Sequence, residues 1–159
     1  PYYRERYPGL SFPAAESAYE RLLTLPLHAG MTVSDVDDVL AALDNPYLTI
    51  LGHPTGRLLL SRDAYAIDLE AIFAKAGAAG VAIEINADPH RLDLDWRVLR
   101  SARAHGVMIS IGADAHNLAG LGNVAYGVGI ARKGWLGPAD ILNTRTAEGF
   151  LEFARARRG

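Results

Sequence analysis

Asp114 and His116 stand two residues apart at the end of "MISIGADAH", whose alternating apolar residues suit a buried strand. On extended backbone such residues project to the same side, so a carboxylate and an imidazole are offered together to one ion. His53 follows the apolar run "YLTIL" after a single glycine and can supply a third ligand from a neighbouring strand. Two imidazoles and a carboxylate leave open positions on Zn, Mn or Fe for water or substrate, and the carboxylate can alternatively bridge two ions. The chain has no cysteine, which excludes disulfides, thiolate catalysis and Cys-type zinc sites; any metal must use His, Asp or Glu. Glu84 and Asn86 close a third apolar run, "VAIEIN", and Arg57 and Arg91 are candidates for clamping a phosphate on such a metal centre.

Each of these residues also has an ordinary structural reading. Asp114 and Asn117 can cap the turn after their strand, leaving His116 half exposed, and His53 before Pro54 can be a loop residue. Glu84 can be a buried carboxylate bonded to Arg57 or Arg91. His28, His90 and His105 lack partners at useful spacing and read as surface or core histidines. "HPTGR" groups Thr55, the Gly56 amide and Arg57 in a way that suits a phosphate, but no Walker, dinucleotide or nucleophile-elbow pattern accompanies it.

The candidate residues make sense only on elements that bring them together. "YLTIL" (47–51), "VAIEIN" (81–86) and "VMISIG" (107–112) are expected strands, apolar nearly throughout. Between them lie "DLEAIFAKAGAAG" and "DLDWRVLRSARAHG", helical patterns that each close on a glycine. Such a series belongs in a parallel sheet covered by helices, where reactive groups gather at the carboxyl ends of the strands. The fold class is therefore α/β, a partial (βα) barrel or an open parallel sheet with covering helices. Before it, "AAESAYERLLTL" and a stretch from about 33 to 43, opened by a Thr32 cap, read as two helices. "VAYGVGIA" (124–131) reads as a further strand, and Pro138 and Thr146 sit where closing helices can start.

With 159 residues, half of them apolar and a net charge of -2, the chain is expected to be one soluble, cytoplasmic globular unit. No run spans a bilayer and no apolar signal core opens the chain, although Pro1 in place of Met suggests an excised piece. The balance of charge lacks the basic excess that phosphate-backbone binding needs, and no basic-aromatic stripe is visible, so a nucleic-acid partner is not expected.

Two resemblances follow from longer stretches. "NPYLTILGHPTGRLLLSRDAY", "VAIEINADPHRLDLDW", "GADAH" and "YGVGIARKGWL", spanning about 45–159, resemble the C-terminal half of the PHP domain of bacterial family X DNA polymerases. That resemblance implies a distorted (βα) barrel with divalent ions at one rim, phosphoester hydrolysis, metal-ligand roles for His53, Asp114 and His116, and supporting positions for Glu84 and Asn86. The first H-x-H of that family and the ligands of its next strands have no counterpart here. "AYERLLTLPLHAGMT" within residues 1–43 resembles the C-terminal end of DegT/DnrJ/EryC1/StrS sugar aminotransferases, without the lysine region that would hold pyridoxal phosphate.

The reading is of an engineered or recombined chimera, an aminotransferase-like helical segment over 1–43 and a PHP-like half-barrel over 44–159. It is expected to have no strong native activity, a partial metal site holding Zn or Mn at low occupancy, and no pyridoxal phosphate. The alternative is a residual divalent-metal-dependent phosphoesterase. An open half-barrel edge invites pairing, so a homo-oligomer is expected, or else cover from the strand candidate near "TLPLH".

Overall fold

The structure is a computed structural model and describes residues 33–157. The expected helix over 15–23, the Thr32 cap, the strand candidate near "TLPLH" and His28 lie outside the described residues.

Helix α1 (Val33–Ala42) leads into a short strand β1 (Ile50–Leu51). Helix α2 (Leu69–Ala79) returns the chain to β2 (Ala82–Asn86), and a 3-10 turn at Trp96–Val98 runs into α3 (Leu99–Ala104) and then β3 (Ile109–Gly112). After a second 3-10 turn, Ala119–Asn123, come α4 (Val124–Lys133) and α5 (Ala147–Arg155). The three strands form one parallel sheet in the order β1-β2-β3. This is the α/β class expected, an open parallel sheet with covering helices.

The helix limits follow from local chemistry. Asp68 caps α2 by accepting a hydrogen bond from the Ala71 amide at 3.0 Å, and Gly80 ends it at φ 66° with its amide bonded to the carbonyls of Ala76 and Gly77. Thr146 caps α5 through the Gly149 amide. Pro138 opens only a three-residue 3-10 turn.

The stretch 124–131 is a helix, not the strand its apolar character suggested. Its buried positions, Gly127 and Ala131, are four apart, and a Cβ at Gly127 would fall 2.5 Å from Ile111 Cγ2 and 2.9 Å from Ala87 Cβ. The small face of a helix, not a ladder of strand hydrogen bonds, is what fits against β2 and β3 here.

Alternation along the strands divides the sheet. Ile83, Ile85, Ile109 and Ile111 sit in a buried core with Ile72, Phe73, Ala76, Leu99 and Ala102 from α2 and α3, and with Val39 and Leu43. Glu84, Asn86, Ser110 and Gly112 alternate with them and so project to the opposite face. The outer edge of β3 is closed by a side chain: Asn143 accepts from the Ile111 amide at 2.7 Å and donates to the Ile111 carbonyl at 3.0 Å. Near β1, the Arg157 guanidinium donates to the carbonyls of Leu48 and Leu43. Among the described residues no helix is long and apolar enough to cross a membrane.

Candidate functional site

Parallel pairing puts the ends of β1, β2 and β3 side by side, so the turns carrying His53 and Asp114 share one rim with Glu84, which projects from within β2. Both turns bend sharply: His53 has φ 26° and Asp114 φ 49°, left-handed values that cost side-chain-bearing residues energy.

Glu84 occupies the middle of this rim. Its carboxylate accepts a hydrogen bond from the His53 amide at 2.8 Å. Two glycines make room for it, since a Cβ at Gly52 would stand 3.5 Å from Glu84 Oε2 and one at Gly112 only 2.1 Å from Oε1. Burial pushes the Glu84 carboxyl above the ordinary glutamate range, and the His53 amide offsets this only in part. Neither Arg57 nor Arg91 bonds to it, contrary to the structural role the sequence suggested; each arginine has been claimed by a closer carboxylate. Arg91 Nε lies 3.3 Å from Asp114 Oδ2. Arg57 pairs with Asp95 at 2.8 Å and donates to the carbonyls of Arg91 and Leu92.

His116 Nδ1 is 2.7 Å from the Asp114 carbonyl, so in the neutral ring Nδ1–H donates there and Nε2 keeps its lone pair. That Nε2 lies 4.0 Å from Asp114 Oδ1. Asn117 caps the following turn through the Gly120 amide. Asn86 is buried, its amide bonded to the Asp93 carbonyl and its Oδ1 to the Asp88 amide at 3.1 Å. It therefore holds the loop behind the rim.

The rim thus gathers Glu84, His53 and Asp114, with His116 at its margin, but among the described residues no group of three or more His, Asp or Glu side chains is arranged to hold a metal ion. The donor types suit zinc or manganese, whereas the arrangement does not: Asp114 is half engaged by Arg91, and His53 is exposed. The fit to a resident metal is incomplete. His90 and His105 are exposed and do have partners, Asp88 at 2.9 Å and Glu70 at 3.3 Å.

The "HPTGR" loop does not present its amides to an external phosphate. The Gly56 amide donates to the His53 carbonyl, and the Thr55 amide donates to Asp93 Oδ2 at 3.1 Å. Gly56 sits at φ 59° with the Tyr65 ring where a Cβ would be, so no other residue fits.

Sequence reasoning overlooked Asp93, a fully buried carboxyl behind this loop. Its Oδ1 and the Thr55 hydroxyl both lack a hydrogen-bond partner among the described residues. Burial pushes Asp93 above the ordinary aspartate range, against the opposing pull of Thr55 and Arg57. Two residues on, burial also raises Asp95, but the Arg97 and Arg57 guanidinium groups outweigh it and hold that carboxyl far below the range. The one available signal was the alternation "RLDLDW", which turns two aspartates to the same side.

Residues 1–44 match the sequence model of the DegT/DnrJ/EryC1/StrS aminotransferase family. A stretch of 114 residues, 70% of this chain, is 41% identical to the DNA polymerase/3'-5' exonuclease PolX of Bacillus subtilis (strain 168). The chain resembles two families in succession. It spans 20% of the length of that polymerase, so the likeness concerns one segment of a much longer protein. The part related to a family X polymerase supplies most of the chain, and the aminotransferase-like part is short.

Proposed function

We propose that this chain is an engineered or recombined chimera without strong native activity, whose rim is the remainder of a larger metal-dependent phosphoesterase centre. The observation that carries this reading is the order of the two likenesses, an aminotransferase-like segment at residues 1–44 and a polymerase-like stretch over 70% of the chain that spans a fifth of its relative. The rim agrees with it. Arg91 neutralises Asp114 and Glu84 is spent on the His53 amide, so both carboxylates of the rim are held by protein groups. Positioning of reacting groups is worth orders of magnitude in rate, so a centre reduced in this way has lost most of its catalytic leverage.

The alternative is residual divalent-metal-dependent phosphoester hydrolysis, favoured by the free Nε2 of His116 beside Asp114. Metal content per chain, measured on tag-free protein and on its Asp114→Ala variant, separates the two. The chimera reading expects well under one equivalent of zinc or manganese in both proteins and a melting temperature indifferent to a chelator. Near-stoichiometric metal that disappears in the variant, with a chelator-sensitive melting temperature only in the parent, would refute it and favour the hydrolase.

A further inference from the structure

Helix α5 buries none of its nine residues, yet its apolar and charged side chains keep to separate sides. Ala147, Phe150, Leu151 and Ala154 recur at the spacing i, i+3, i+4, i+7 that forms one face of a helix. Phe150 and Leu151 are 38% and 45% exposed there. The chain covers the adjoining flank, where Gly149, Phe153 and Arg157 are half-buried and Arg157 donates to the carbonyls of Leu43 and Leu48. An amphipathic helix gains most of its stability from packing of its apolar face, and here much of that face is left to solvent.

The open face reads the same in both directions: a small residue, a gap of two, the Phe150–Leu151 pair, a gap of two, and a small residue again. It is therefore complementary to its own copy turned end for end, with each Ala147 against the other copy's Ala154 and the bulky pairs meeting at the centre. The alanines let the two helix axes approach closely. Successive residues turn by about 100°, so Glu148 and Arg155 border the face beside Leu151, whereas Glu152 points away from it. Neither the Glu148 nor the Arg155 side chain has a hydrogen bond or ion pair among the described residues. End-for-end pairing places each Glu148 beside the other copy's Arg155 and aligns the helix dipoles favourably, whereas parallel pairing opposes like charges. The sheet edge, where the sequence suggested pairing, is partly occupied instead: Asn143 closes β3, and Arg157 holds carbonyls beside β1.

We propose that two copies of this chain associate in solution through α5, antiparallel about a two-fold axis that passes between Phe150 and Leu151. The end of α5 lies beside the start of β1, where Arg157 reaches Leu48, whereas the rim of His53, Glu84 and Asp114 lies at the other end of the strands. Association is therefore independent of what the rim does. Nine residues extend roughly 13 Å, and a face of that length buries less than the roughly 800 Å² per partner of a standard interface. The dimer is accordingly weak, forming at micromolar concentrations and above.

The test is sedimentation equilibrium of the full chain over a wide range of concentration, in which the mass is expected to rise from one chain to two. Leu151→Glu places a charge at the centre of the pair and is expected to weaken association by about tenfold or more. Leu121→Glu, at another exposed apolar position away from α5, is expected to leave it unchanged. Glu148→Arg and Arg155→Glu each set like charges side by side and weaken self-association, but an equimolar mixture of the two restores opposite charges and associates more tightly than either alone. All four residues are exposed, so the variants are expected to fold, as circular dichroism melting will show; should Leu151→Glu not fold, Leu151→Gln takes its place. The proposal is overturned by a single-chain mass at every concentration, or by a folded Leu151 variant that associates as tightly as the parent. It is equally overturned by loss of association in Leu121→Glu, or by a mixture that associates no better than its components.

Discussion

Replacing Asp93 by asparagine should stabilise the fold at neutral pH and leave it unchanged in mild acid. Asp93 is fully buried; one carboxyl oxygen accepts from the Thr55 amide at 3.1 Å, and the other has no partner among the described residues. Burial raises its affinity for a proton above that of an unfolded aspartate. A carboxyl raised in this way contributes stability that is fully present below the ordinary aspartate range and is lost as pH rises through its folded value. At pH 7 the native state therefore either holds a buried charge at a cost or takes up a proton that the unfolded chain would not bind. Asparagine keeps an oxygen for the Thr55 amide and carries no charge. Its NH₂ group also offers a donor to the Thr55 hydroxyl, whose oxygen is likewise unpartnered. Relieving one unsatisfied buried acceptor is worth about 1–3 kcal/mol. For a domain of this size that is a rise in melting temperature of roughly 2–4 °C per kcal/mol. Thermal melts of Asp93→Asn and the parent at pH 7 and again near the ordinary aspartate range decide the matter. A variant less stable than the parent at pH 7 would refute the reasoning by showing that ionised Asp93 is compensated by Arg57 and its neighbours, and a gain undiminished in acid would refute it by showing that the gain does not come from removing a charge.

Two other substitutions probe how the layers are held together. Gly77→Ala in α2 would ordinarily favour a helix, but its Cβ would fall 2.0 Å from the His105 carbonyl oxygen, a backbone atom that cannot rotate away; destabilisation by about 1–3 kcal/mol is expected in a urea titration. Asn143→Ala removes both bonds to the Ile111 backbone, at a cost of about 2 kcal/mol if each contributes about 1, and hydrogen exchange at the Ile111 amide should accelerate more than at the central strand amide of Ile83, which bonds to the Met108 carbonyl.

Much of the architecture was legible because its signals are local. Asp68 and Gly80 delimit α2 through the capping and left-handed geometry that their side chains, or the lack of one, permit. The apolar runs around Ile50, Ile83 and Ile109 became strands of one parallel sheet, and that alone brings the turns of His53 and Asp114 to a common rim with Glu84 of β2. The strands are shorter than the runs that announced them, although the Thr49 and Met108 carbonyls just before β1 and β3 still accept from the Ala82 and Ile83 amides.

What the linear pattern left open were choices among partners. Apolar content cannot distinguish a helix from a strand over 124–131; the depth of the groove over Ile85, Ala87 and Ile111, which admits only the Gly127 face, decides for the helix. Two arginines and four carboxylates near the rim allow several pairings, and the one adopted, Arg57 with Asp95 and Arg91 with Asp114, leaves Glu84 to the His53 amide and Asp93 to the Thr55 amide. By itself the sequence determined which residues carry charge, which segments can bury an apolar face, and which positions end a helix, because those depend on neighbours in the chain. The tertiary structure alone decided which charges meet and which are buried without a partner, because contacts across 30 or more residues depend on how the layers close.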